Sequence, residues 1–195
     1  CIAGPVVAGI VCLNYNFIKE RRRGENFIRH LYKLGLKDSK KISPQKREYF
    51  FRMLSESKFF SLATGSVSEK IIDSKNIFEA TKLAMRTSVL KLEKATGKRA
   101  DFLFIDGNFK IGLDRSQLPV KQGDQKVFVC ACASIIAKVF RDRTMERYHK
   151  LFPEYGFDRH KGYGTELHRK KLLKHGPCRI HRFSFKPVRQ LTQRS

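Results

Sequence analysis

Asp106 and Asp124 are the residues whose type and spacing could do chemistry. Asp106 ends the apolar run Phe102-Leu-Phe-Ile105 and is followed by Gly107, which puts a carboxylate at the carboxyl edge of a sheet, where α/β proteins commonly bind ligands. The same Asp-Gly pair also makes an ordinary tight turn. Asp124 follows Gly123 and precedes a long helical pattern, and its competing role is that of an N-cap, worth ~1 kcal/mol. The two acids lie 18 positions apart, with a short loop and a short strand between them, a path that can return the chain to one sheet edge. Two carboxylates converging in a basic groove make a site for hard cations such as Mg²⁺ or Mn²⁺. A phosphodiester is anionic and repels hydroxide; divalent ions neutralise it, activate water and stabilise the leaving oxygen. Two carboxylates alone rarely hold two ions, so further ligands are expected.

Tyr163 sits in His160-Lys-Gly-Tyr-Gly-Thr165. Glycines on both sides leave the ring exposed near a close backbone approach, which suits stacking on a sugar or base. The commoner role of such a tyrosine is packing on a core. Ser39, Lys40 and Lys41 offer a hydroxyl and two cations on a loop, either a phosphate contact or an ordinary solvated loop. Asp142, between Arg141 and Arg143, reads as a salt-bridged helix residue, and the histidines form no pair with metal-ligand spacing. The chain has no nucleophile elbow, phosphate-binding glycine loop or dinucleotide fingerprint. Its five cysteines are odd in number, lack a zinc spacing and read as buried reduced thiols in a cytosolic protein.

The elements that must position these residues alternate. Pro5–Leu13, Phe59–Val67, Ala100–Asp106 and Leu118–Lys121 read as strands. Helices are expected from the Ser43-Pro44 start to about Ser57, from an Asp73 or Ser74 cap through Leu92 to Gly97, from Gly123-Asp124 through Phe140, and over Thr165–His175. Lys19–Arg23 with Gly24 reads as a solvated turn or loop. Beyond His181 lies a basic tail with Phe183 and Phe185 as possible anchors. The 195 residues carry 41 Lys and Arg against 18 Asp and Glu, a formal charge of +23, and 41% hydrophobic residues. That composition excludes a disordered basic tail and points to a polyanion, with colloidal solubility as the plainer explanation. The longest uncharged apolar run, Val127–Ala137, is too short for a membrane span, which needs about 20 residues.

Together the segments resemble the type 2 ribonucleases H (ribonuclease HII). The matching pieces are Ala3-Gly-Pro-Val-Val-Ala-Gly9, Leu36-Lys-Asp-Ser-Lys-Lys41, Ile72-Asp-Ser-Lys-Asn-Ile77, Ala80-Thr-Lys-Leu-Ala-Met85 and Ile105-Asp-Gly107. They continue with Lys121-Gln-Gly-Asp124, Ala133-Ser-Ile-Ile-Ala-Lys138, Arg141-Asp142, Tyr155 to Thr165 and His181-Arg-Phe-Ser-Phe185, in the family's order over nearly the whole chain. The resemblance implies an α/β fold: a ribonuclease H-like mixed sheet flanked by helices in residues 1–150, with a helical, basic C-terminal extension in 151–195. It implies an endonuclease that cuts the RNA strand of RNA–DNA hybrids and single ribonucleotides in duplex DNA, leaving 3′-hydroxyl and 5′-phosphate ends. It assigns Asp106 and Asp124 as catalytic ligands of Mn²⁺ or Mg²⁺, Ser39, Lys40 and Lys41 to the nucleic-acid backbone, and Tyr163 to the sugar at the ribonucleotide-to-DNA junction. The expected protein is a cytoplasmic monomer with no membrane partner. The family's Asp-Glu pair and Gly-Arg-Gly turn would precede Cys1 and are absent, so the chain is expected to be an N-terminally truncated fragment that binds metal weakly and cleaves poorly. The competing readings are a non-catalytic RNA-binding module and another nuclease or strand-transfer enzyme of the same fold.

Overall fold

The computed structural model describes residues 1–36 and 42–193. The chain divides into two compact units, one of residues 8–65 and 82–139 and the other of 1–7, 66–81 and 140–195. Residues 140–150 thus share a unit with the C-terminal segment.

In the first unit, strands β1 (Val6–Leu13) and β2 (Phe60–Val67) pair with each other, while β3 (Phe102–Asp106) and β4 (Ser116–Val120) form a second, parallel pair. Helices α1 (Tyr15–Lys19), α2 (Arg21–Lys33) and α3 (Pro44–Glu56) accompany them, with the parts of α5 (Ile77–Thr96) from residue 82 on and of α7 (Phe128–Leu151) up to residue 139. The α/β class therefore holds, with the sheet built as two two-stranded pieces among the described residues. The main core joins Val11, Leu31, Phe50, Leu54, Phe60, Cys132, Ile135 and Ile136, so α2, α3 and α7 meet over the first strand pair.

Two glycines permit that contact. A Cβ on Gly9 of β1 would lie 2.2 Å from the Ala133 carbonyl oxygen of α7, and one on Gly65 of β2 would lie 2.0 Å from the Ala84 oxygen of α5. Both strands therefore approach a helix backbone more closely than any side chain allows.

The expected Ser43-Pro44 helix start is present: the Ser43 hydroxyl accepts the Lys46 N–H and Pro44 occupies the first turn. Phe50 and Leu54 are fully buried, whereas Tyr49 is exposed. The solvated loop expected at Lys19–Arg23 is instead the junction of α1 and α2. Asn14 caps α1, the pairs Arg21–Glu25 and Arg29–Glu25 lie along one face of α2, and Leu31 is buried on it. These offset the ~1 kcal/mol cost of helical Gly24, which packs where a Cβ would strike the Phe17 ring.

In the second unit, the cap expected at Asp73 or Ser74 is displaced. Both residues lie in α4 (Glu69–Lys75), and Asn76 caps α5, its Oδ1 accepting the N–H groups of Phe78 and Glu79. Asp73 instead accepts the N–H groups of Phe183 and Ser184 and the Ser184 hydroxyl. Short helix α8 (Phe157–His160) and α9 (Glu166–His175), capped by Thr165, precede α10 (Lys186–Thr192). The tail is anchored by Ile180 and Val188, both buried, while Phe183 is exposed. Arg182, also buried, donates to the carbonyl oxygens of Cys1, Gly4 and Pro5.

His160, His168 and His181 are buried in this unit. The Cys178 N–H donates to His181 Nδ1, His181 and His168 meet through their Nε2 atoms at 3.1 Å, and His168 Nδ1 lies 2.9 Å from the Tyr163 oxygen. His181 Nδ1 also lies 3.2 Å from the Cys178 oxygen, and burial of the rings disfavours their charged forms. Burial, the largest cause, pushes the pKa of His168 down to about 3 and that of His181 to about 4. The unfolded chain binds protons on these rings first, near the ordinary value of about 6.5. The stability they contribute is present above that value and is lost as pH falls towards the lowered values.

Two predictions follow from this packing. Gly9→Ala should lower the unfolding free energy by about 2 kcal/mol or more in urea titrations, and an unchanged midpoint would contradict the strand–helix contact. Imidazole NMR should show His168 and His181 still neutral at pH 5.5, with the urea midpoint falling as pH drops from 7 to 4.5. A ring that titrates near its ordinary value would contradict the neutral chain.

Candidate active site

The chain around Asp106 is set by strand alternation. Leu103 and Ile105 turn inward to meet Val89 and Ile111, so Phe102, Phe104 and Asp106 share the opposite face. Asp106 is the last residue of β3, paired with Val120 at the end of β4, and the Gly107 N–H closes the strand end on the Val120 oxygen at 3.1 Å. Because β4 runs parallel to β3, its carboxyl end delivers the following residues to the same edge.

Lys121 and Gln122 then turn the chain, Gln122 in a left-handed conformation (φ 59°), and the one-turn helix α6 (Gly123–Lys126) begins. The Gly123 N–H donates to Asp106 Oδ1 at 2.8 Å. Gly123 is pressed against the strand end, where a Cβ would sit 3.2 Å from Asp106 Cα. Asp124, the next residue, is 4% exposed. The capping role considered for Asp124 is not the one observed: it lies inside α6, Gln122 holds the N-cap position, and Val127 separates α6 from α7.

The charges of both acids are felt at a third residue. The buried Cys130 thiol, in the first turn of α7, is pushed up to about 11, chiefly by burial and further by the charges of Asp106 and Asp124. Its Sγ lies 3.8 Å from the Phe104 oxygen of β3. Lys110, Lys121 and Lys126 are exposed in the segments flanking the acids. The donor set is two carboxylates, hard oxygen ligands that fit Mg²⁺ or Mn²⁺. Among the described residues no group of three His, Cys, Asp or Glu side chains forms a metal site, so the further protein ligands expected from the sequence are not found there.

Tyr163 belongs to the other unit and is 45% exposed. Its loop is clamped to the start of the chain: Ile2 and Ala3 donate to the Gly162 oxygen, and a Cβ on Gly162 would lie 2.5 Å from the Ala3 oxygen. The packed-tyrosine alternative therefore does not describe it. Asp142 lies in α7, as expected. Ser39, Lys40 and Lys41 fall outside the described residues.

Sequence reasoning missed three neighbours. Cys130 was legible as a buried thiol, but its six-residue offset from Asp124 gives no hint that it lies beside both acids. The histidine chain joins positions 13 apart, too far for any helical spacing to show. The Arg141 guanidinium lies over the Tyr163 ring, a contact between positions 22 apart.

Comparison with known proteins gives the family of the chain. The ribonuclease HII family profile matches residues 1–188. Ribonuclease HII of Chlamydia trachomatis serovar A is 42% identical over 192 residues, covering 98% of this chain and 80% of the relative. Ribonuclease HII of Endomicrobium trichonymphae is 42% identical over 191 residues, covering 97% and 82%. The crystal structure of ribonuclease H2 from Pyrococcus horikoshii superposes with a TM-score of 0.74 at 21% identity, covering 99% of this chain and 92% of that one. The ribonuclease HII of the PCNA complex from Archaeoglobus fulgidus does so at 0.72 and 26% identity, covering 100% and 93%. With nearly its whole length matched in sequence and in fold, the chain belongs to the ribonuclease HII family.

Proposed function

We propose that the protein is an endonuclease that hydrolyses the RNA strand of RNA–DNA hybrids and cuts at single ribonucleotides in duplex DNA, with Asp106 and Asp124 as its metal-binding catalytic carboxylates. The observation that carries the site assignment is the Gly123 N–H bond to Asp106 Oδ1, which sets Asp124 beside the strand end that bears Asp106. A purely RNA-binding module gives no reason to bring two acids together within a chain of net charge +23.

Asp106 and Asp124 are the residues that would hold Mg²⁺ or Mn²⁺, whose chemistry there is to neutralise the phosphodiester and activate water. Asp106 is held at a fixed angle by the Gly123 N–H, so its carboxylate is positioned before substrate arrives. Asp124 is shielded from bulk water, which strengthens its electrostatic interactions. Lysines 110, 121 and 126 draw the polyanion towards these acids. The exposed ring of Tyr163 packs against the sugar at the ribonucleotide-to-DNA junction, and Ser39, Lys40 and Lys41 contact the backbone. Cleavage leaves a 3′-hydroxyl and a 5′-phosphate. In this division of labour residues 1–150 carry the chemistry and 151–195 extend the substrate surface.

In the intact protein, Asp124→Asn should lower kcat on a hybrid by roughly a thousandfold, the loss of ~4 kcal/mol expected when a catalytic metal ligand is removed. Hybrid binding should stay equal or tighten, because a negative charge facing the phosphates is gone. Cleavage by Asp124→Asn within tenfold of the parent would refute the assignment, and loss of binding together with folding would refute it equally.

A further inference from the structure

Strands β3 and β4 turn an apolar face to solvent. Their parallel register sets Phe102 beside Ser116, Phe104 beside Leu118 and Asp106 beside Val120. Residues in register point the same way, so these six share one face, while Leu103 and Ile105 fill the core on the other. Phe102 is 50% exposed, Phe104 43% and Leu118 47%. The two phenyl rings lie with centroids 5.1 Å apart and planes inclined at 64°. Contiguous exposed apolar groups of this kind mark interaction surfaces.

This face runs directly into the acidic site. Phe104 stands two positions before Asp106 and Phe102 four, which places them roughly 7 and 13 Å back along the strand from the carboxylate residue. Lys110, Lys121 and Lys126 are exposed in the segments around the Asp106 end. An occupant has to offer three things at once: flat apolar contact at the rings, negative charge at the lysines and a phosphate at Asp106. A second copy of the chain offers only the first, since each copy carries +23 and repels the other. A paired stretch of hybrid hides its base faces in its own stack. Unpaired nucleotides offer all three, because every base has a π face for an aromatic ring and every link a charged phosphate.

We propose that the exposed face of β3 and β4 is a stacking ledge for unpaired nucleotides that continue from the strand held at Asp106. The inference rests on the nuclease reading of Asp106 and Asp124 and names a substrate class for it: hybrids that carry a single-stranded stretch beside the paired part. The ledge leaves Asp106 in one direction only. An unpaired tail therefore adds affinity at one end of the cut strand and not at the other. Leucine in place of each phenylalanine keeps apolar bulk on the ledge but removes the ring face on which a base stacks.

The test measures binding, without divalent metal, by the intact protein and by the double variant Phe102→Leu, Phe104→Leu. The probes are a blunt RNA–DNA hybrid and two hybrids of the same sequence whose RNA strand carries an unpaired tail, labelled with 2-aminopurine, at its 5′ or its 3′ end. The parent should bind one tailed hybrid about tenfold more tightly than the blunt one and quench its 2-aminopurine, as stacking on an aromatic ring requires. In the double variant the quench should vanish and the tailed-to-blunt ratio should fall to about one. Each single variant, measured in the same way, should lose part of the ratio and serves if the double variant does not fold. A parent that binds neither tail better than the blunt hybrid, or variants that keep the parent's ratio, would overturn the proposal. Equal gains from both tails would overturn it as well, since they mark charge alone. Sedimentation tests the rival occupant: a parent that dimerises while the double variant stays monomeric would give the face to a second copy and overturn the ledge. Cleavage with Mn²⁺ is read separately. A parent that stacks the tail yet cuts no hybrid would overturn the nuclease reading and not the ledge.

Discussion

A single hydrogen bond, from the Gly123 N–H to Asp106 Oδ1, governs the geometry of the acidic site. It ties the carboxyl end of β3 to the first residue of α6, where a Cβ would sit only 3.2 Å from Asp106 Cα. The parallel register of β3 and β4 brings the chain back to that edge, and the left-handed Gln122 turns it inward. Asp124 then follows at the next position, buried rather than solvated. Without that bond the two acids would be an unremarkable strand end and an ordinary helix residue, 18 positions apart.

Bringing two carboxylates together is unfavourable unless something offsets their repulsion. The chain supplies a partial remedy in its surplus of cations, +23 overall, with three lysines in the flanking segments. The Cys130 thiol is held neutral chiefly by burial, and the charges of Asp106 and Asp124 push in the same direction. A divalent cation held by both acids, as proposed, would convert the repulsion into binding. Around Tyr163 the buried cation Arg141 donates to two carbonyl oxygens, lies over a ring and feels the charges of Asp142 and Glu69.

The acids themselves were legible in the sequence because each carries a local sign: an apolar run stopped by Asp-Gly, and a glycine-aspartate pair ahead of a helical pattern. The helix start at Ser43-Pro44 and the buried faces of β3 were legible for the same reason, since caps and alternation act within a few residues. What stayed hidden acts at long range. Asp73 looked like a helix cap, yet its oxygens are taken by Phe183 and Ser184, more than a hundred positions away. Lys19–Arg23 looked like a solvated loop because its charges mask the i, i+4 pairs and the burial of Leu31 that make it helical. Arg141 stood in a matching segment, but its contacts to a ring and two carbonyl oxygens come from separate segments and leave no local sign.

The most direct measurement is the anomalous scattering of manganese in a crystal of the protein grown with Mn²⁺. A peak within about 2.0–2.6 Å of carboxylate oxygens from both Asp106 and Asp124 is the predicted result. Manganese bound elsewhere, or held by one of the two acids while the other turns away, would contradict the account.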